Sequence, residues 1–144
     1  MIDVYSTPTN LPDFSDLDLN FDIIDSHHNL FDLDAVYYPW LTDVPESQFL
    51  LGDYDGIKKN YLPEDYLNDT GELRVVKTVH VEAEADHDNP VAETRWLSDV
   101  IDGDNLHQAI VAHSWLHLPE SESILEAQSE FKAVILSGSP NSVR

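Results

Sequence analysis

The sequence predicts an α/β protein: a partial (β/α)8 barrel comprising about the first three to four βα units. Three observations carry this. Short runs dense in β-branched and apolar residues alternate with stretches of helical periodicity. The connections are long enough for a helical crossover, so successive strands pair in parallel. The first apolar run, Phe21-Asp22-Ile23-Ile24, ends in Asp25-Ser26-His27-His28, the way a barrel strand delivers polar side chains to its C-terminal rim.

The elements follow in order. Residues 1–20 are rich in Asp, Ser, Pro and Asn without sustained period and read as a disordered acidic leader. The spacing of Asp16, Asp18, Asn20 and Asp22 imitates the start of a calcium loop. Phe21 stands where the loop needs glycine and His27 where it needs a bidentate Glu, so no calcium site is expected. Phe21–Ser26 is the first strand, and residues 29–62 form a long aromatic-rich segment with turn signals. Pro63 opens a short helix, with proline tolerated in the first turn. Arg74–Glu82, dense in β-branched residues, is the clearest strand. Asn89-Pro90 starts a second helix in which Val91, Trp96, Leu97, Val100 and Ile101 recur at helical spacing; Gly103 is read as its stop. Ala109–His113 is a third strand, Pro119 and Ser121 start a third helix, and Ala133–Leu136 begins a fourth strand. The barrel unit thus covers 21–136, and 137–144 reads as a coil tail.

Composition bounds the function. The chain has 144 residues, whereas a full barrel typically needs about 250. A net charge of −21, with no Lys or Arg before Lys58, repels nucleic acid and anionic lipid, so neither is an expected partner. There is no cysteine and no long apolar run, and a cytoplasmic location is expected. Glycine-rich phosphate loops and the Gly-x-Ser-x-Gly elbow are absent.

The stretch Ile24-Asp25-Ser26-His27-His28-Asn29-Leu30-Phe31 resembles the first strand of the amidohydrolase-related family, the TIM-barrel hydrolases that include lactonases. Further anchors follow in order: Tyr38-Pro39-Trp40-Leu41, Leu51-Gly52-Asp53-Tyr54, Tyr61-Leu62-Pro63-Glu64-Asp65-Tyr66, Val79-His80-Val81-Glu82-Ala83, Pro90 to Leu97, and Ile110 to Leu116. The resemblance runs from about Ile24 to about Phe131, the N-terminal part of the family's barrel. It implies a hydrolase acting on a lactone or similar cyclic or carboxyl compound, with a divalent metal such as zinc in some relatives. In the family a His-x-His pair faces the active site. Here His27 keeps the first position and Asn29 replaces the second, so His27 alone carries over as a metal ligand and no bound metal is expected.

Three residues are the catalytic candidates: His27, His80 and Glu82. Alternation along the first strand places Ile23, Asp25, His27 and Asn29 on one face. His27 is then an active-site residue or a satisfied structural histidine, and His28 points the other way unless the backbone bends. His80 and Glu82 share a face of the second strand. They supply a base or substrate hydrogen bond, or pack the rim bonded to each other. His113 and His117 border the end of the third strand, with His117 read as a solvated loop residue. Tyr37, Tyr38, Trp40 and Phe49 form a lid or substrate wall, or cover the rim; Trp96 reads as core. Two functions remain open: a hydrolase by family, and a non-catalytic fragment, inactive alone, that is inert or self-associates through an open sheet edge.

Overall fold

A computed structural model describes residues 20–43, 54–103, 106–132 and 134–139. Nearly all of the 1–20 leader, Leu51-Gly52-Asp53 and Phe49 therefore lie outside the described residues. The chain is a mixed α/β structure around a four-stranded sheet in the order β1-β2-β3-β4, all neighbours parallel. The strands are β1 (Ile23–His28), β2 (Val75–Val81), β3 (His107–Trp115) and β4 (Val134–Ser139). The helices are α1 (Pro39–Thr42), α2 (Pro63–Thr70), α3 (Ala92–Gly103) and α4 (Ser121–Ser129), with a 3-10 turn at Asp55–Ile57.

Local chemistry explains the helix ends. Pro63 sits in the first turn of α2, and the Asp65 carboxylate accepts the Leu62 N–H at 2.8 Å. Gly71, at φ 55°, ends that helix in a backbone region that glycine enters without steric cost. Gly103 is the last residue of α3 rather than a stop before it. The tail expectation also changes: Ser137, Gly138 and Ser139 continue β4, pairing with His113, Ser114 and Trp115, because the parallel ladder to β3 extends past Leu136.

The helices cover one face of the sheet. Thr78 and His80 in β2 and Ile110, Ala112 and Ser114 in β3 are buried at alternate positions. Leu30, Tyr66 of α2 and Leu97 of α3 form one apolar cluster with Ile110 and Ala112. Burying a leucine of this kind stabilises by roughly 1.5–3 kcal/mol. A second cluster, Val36, Tyr38, Leu41, Tyr54 and Ala83, caps the C-terminal ends of the strands, and Trp96 packs against both. On the other face Val79, Val81 and Val111 are half-buried, and Ile24 and Ile135 are 62% and 54% exposed.

One irregularity decides which side chains reach the helical layer. Asp25 pairs with Thr78 but His28 pairs with His80, three residues of β1 against two of β2. The extra residue bends the strand and reverses its alternation. Asp25 lies before the bulge and accepts the Tyr66 hydroxyl at 2.8 Å. Beyond the bulge it is His28, not His27, that is buried, bonded through Nε2 to Thr78 Oγ1 at 2.9 Å.

Candidate active site at the C-terminal rim

The residues picked from the sequence all lie at the C-terminal end of the parallel sheet, but they do not form one site. His27 is exposed, and its backbone N–H donates to Asp25 Oδ1 at 3.0 Å. It therefore departs from the expected shared face with Asp25, and the bulge is the reason. His80 is 1% exposed and points into the helical layer. Its Nδ1 accepts the Leu30 N–H at 3.2 Å, which leaves Nε2 as the donor to Glu93 Oε1 at 3.3 Å. The expected partnership of His80 with Glu82 is thus replaced by His80 with Glu93.

Glu93 is a buried carboxylate whose needs are met locally. Besides His80 it accepts the Tyr38 hydroxyl at 3.1 Å and the Ala83 N–H at 3.1 and 3.2 Å. Burial, and then the adjacent carboxylate, push the Tyr38 hydroxyl far up, so it stays a donor. Trp40 Nε1 donates to the Ala83 carbonyl at 2.8 Å. The network ties β2, the start of α3 and the segment after β1 into one rim. Sequence reasoning passed over Glu93 because a glutamate in a helix usually faces water. The available signal was its i, i+4 spacing to the core residue Leu97.

Glu82 pairs instead with the next strand. Its Oε1 lies 3.3 Å from His113 Nδ1, and its Oε2 accepts the Glu84 N–H at 2.9 Å. Burial pushes the Glu82 carboxyl up, but the bond from His113 and the Glu84 N–H outweigh it, so its pKa falls below the ordinary value. The bond to Glu82 raises His113 above the ordinary histidine value, against an opposing effect of burial. Trp115 meets His113 edge-to-face with ring centres 4.2 Å apart, and the His87 ring lies tilted against it at 3.7 Å. His117 is exposed, as expected for a loop residue.

A cleft of about 480 Å3 is lined by Asn29, Phe31, Trp40, Ile57, Lys59, Tyr61, Ala83 and Glu84, the last two following Glu82 in the chain. Two backbone hydrogen bonds between Phe31 and Tyr61, at 2.9 and 2.8 Å, fix these walls. Phe31 and Trp40 meet at an interplanar angle of 72°. Of the aromatics expected to form a wall, Trp40 does so. Tyr38 is core, and the exposed Tyr37 donates its hydroxyl to the Asp43 carboxylate. Phe31 and Tyr61 complete the wall in their place. Glu84, at φ 56°, is the one non-glycine residue in the left-handed region among those described. Such strain, worth about 1–3 kcal/mol, gathers at functional sites.

Asn29 Nδ2 donates to the Val81 carbonyl at 2.8 Å, with the Glu82 carbonyl at 3.5 Å. Carbonyl partners fix the amide orientation, so Asn29 serves as a tie between β1 and β2. With His27 turned out to solvent, the His27/Asn29 positions do not fit a metal site. No cluster of three potential metal ligands forms among the described residues.

No family model matches the sequence. The chain is similar to the uncharacterized protein y4mH of Sinorhizobium fredii (strain NBRC 101917 / NGR234), 40% identical over 110 residues. That alignment covers 76% of this chain and 36% of the relative, so the chain spans about a third of that protein's length. No solved structure matches. Among the described residues no helix is long and apolar enough to cross a membrane.

Proposed function

We propose that this chain supplies the first βα units of a cytoplasmic (β/α)8 hydrolase of the amidohydrolase-related type, acting on a lactone or similar cyclic or activated carboxyl compound. The observation that carries the reading is that the Glu82–His113 pair and an aromatic cleft reaching Ala83 and Glu84 both follow the C-terminal ends of the parallel strands. Barrel enzymes build their sites at that end. The relative's length supports it: 110 aligned residues at 36% coverage put that protein near 300 residues, room for a whole barrel.

In this reading His113 Nδ1 holds Glu82, and the half-buried Glu82 carboxylate at the rim moves the proton. The aromatic walls take the substrate's ring. His27, turned to solvent, and Asn29, tied to the Val81 carbonyl, do not fit a metal. The test is titration of the purified chain with a lactone panel, read by tryptophan fluorescence. Saturable quenching that Trp40→Phe removes supports the reading; a folded chain that binds no member contradicts it.

A second reading is favoured by the exposed Ile24 and Ile135 on the face opposite the helices. In it the chain is non-catalytic and associates with a second copy through that face and the β4 edge.

A further inference from the structure

Four side chains on the wall of the aromatic cleft carry hydrogen-bond donors: Asn29, Trp40, Lys59 and Tyr61. Three of them are engaged inside the fold. Trp40 Nε1 donates to the Ala83 carbonyl and the Tyr61 hydroxyl to Asp69 Oδ2, each at 2.8 Å. Asn29 Nδ2 faces the Val81 and Glu82 carbonyls at 2.8 and 3.5 Å. The backbone of the wall is engaged as well. Phe31 and Tyr61 exchange their N–H bonds, Ile57 N–H donates to the Tyr54 carbonyl, and the Ala83 and Glu84 N–H groups donate to Glu93 and Glu82.

Lys59 is the exception. Its side chain is exposed and makes no hydrogen bond or ion pair among the described residues. Lys58, next to it, is held by Asp55 at 2.6 Å and lies over the Tyr54 ring. Glu84 is the one carboxylate on the wall. Its Oε2 lies 3.5 Å from His87 Nε2, toward a neighbouring hollow that Pro39, Ala85 and His87 line with it.

A ligand therefore meets flat apolar surfaces and one cation. Phe31 and Trp40 stand at 72°, and Tyr54 stacks on Trp40 with ring centres 6.2 Å apart, so the indole is a braced wall. Such a slot suits a planar ring. A ring bearing several hydroxyls would give up water from each of them and find a single donor in return. An ammonium favours an anionic oxygen, because a charge-assisted hydrogen bond is roughly twice as strong as a neutral one.

We propose that Lys59 is the specificity-determining residue of this cleft, which takes a flat apolar ring bearing a carboxylate in preference to a neutral or polyhydroxylated ring. The inference rests on the hydrolase reading for where the substrate's ring sits, and adds the class of substrate. The net charge of −21 repels anions at a distance, so selection for one has to come from a cation in the cleft itself.

The experiment is a chemical-shift titration of the full chain labelled with nitrogen-15, at about 0.15 M salt, where the screening length is about 8 Å and a direct contact outlasts the long-range repulsion. The probes are coumarin, a flat neutral lactone; coumarin carboxylate, the same ring with a charge; and gluconolactone, a polyhydroxylated ring. Coumarin carboxylate is expected to bind about fivefold more tightly than coumarin, the effect of an exposed ion pair. Gluconolactone is expected to bind more weakly than either. Lys59→Gln should remove the preference and leave coumarin unchanged, whereas Lys59→Arg should keep it. Equal binding of the two coumarins, a preference that survives Lys59→Gln, or tighter binding of gluconolactone overturns the inference while leaving the cleft as a lactone site. Binding of none of the three overturns both readings.

Discussion

Glu82 Oε1 and His113 Nδ1 lie 3.3 Å apart, joining the ends of two adjacent parallel strands through their side chains. The pair is only partly exposed, so its attraction is screened less than that of a surface ion pair. Each partner shifts the other toward its charged form, which makes the link a titratable part of the rim.

The pH dependence follows from the two directions. Glu82 is lowered from an ordinary 4.5, so its contribution is present above that pH and lost as pH falls through the depressed value. His113 is raised from an ordinary 6.5, so its contribution is full below that pH and lost as pH rises through the raised value. The stability difference between the wild-type chain and Glu82→Gln should therefore be largest between about pH 4.5 and 6.5. Thermal melts of both proteins across pH check this, and a difference that does not vary with pH counts against the pair.

Glu93→Ala should be among the most damaging single changes. It strands the Tyr38 hydroxyl, the His80 ring nitrogen and the Ala83 N–H in a buried site. Breaking such a network costs about 3–5 kcal/mol, and urea unfolding measures it. Glu93→Gln keeps one acceptor oxygen and should cost less. Equal losses would mean that the carboxylate's bonds contribute little.

Much of the fold was legible because it follows from apolar periodicity. The β-branched core of Val75 to Val81 and the i, i+4 spacing of Trp96, Leu97, Val100 and Ile101 specify a strand and a helix without tertiary help. The site was less legible because it depends on parity. A single bulge between Asp25 and His28 exchanges the roles of His27 and His28, and no residue there signals it. Glu82 escapes the alternation of β2 because it lies one residue beyond the strand's end, free to turn toward His113. Phe31 and Tyr61 come together only through an isolated antiparallel bridge between segments thirty positions apart in sequence.

The purified chain should hold no stoichiometric zinc, and Asn29→His should not create a site. A zinc site needs about three protein ligands, whereas His27 is exposed and residue 29 is turned toward the Val81 carbonyl. Elemental analysis of both proteins checks this. One tightly held zinc per chain in either would show that the rim rearranges around metal.

Association should rise with salt. Two copies carrying −21 each repel strongly, while Ile24 and Ile135 offer apolar area on the sheet face opposite the helices. Raising salt from about 0.01 M to 1 M shortens the screening length from roughly 30 Å to 3 Å. Sedimentation velocity should then show a shift toward dimer that Ile24→Lys with Ile135→Lys removes. A monomer at every salt concentration would argue against the open face as an interface.

The central claim is that the functional surface is the C-terminal rim, and chemical-shift mapping on the labelled chain tests it most directly. A lactone that quenches tryptophan fluorescence should perturb the amides of Asn29, Phe31, Trp40, Tyr61 and Glu84 around the cleft. Perturbations centred on the other end of the strands, at Ile23, Val75 and Leu106, or a ligand that shifts no rim residue while still binding, would contradict the account.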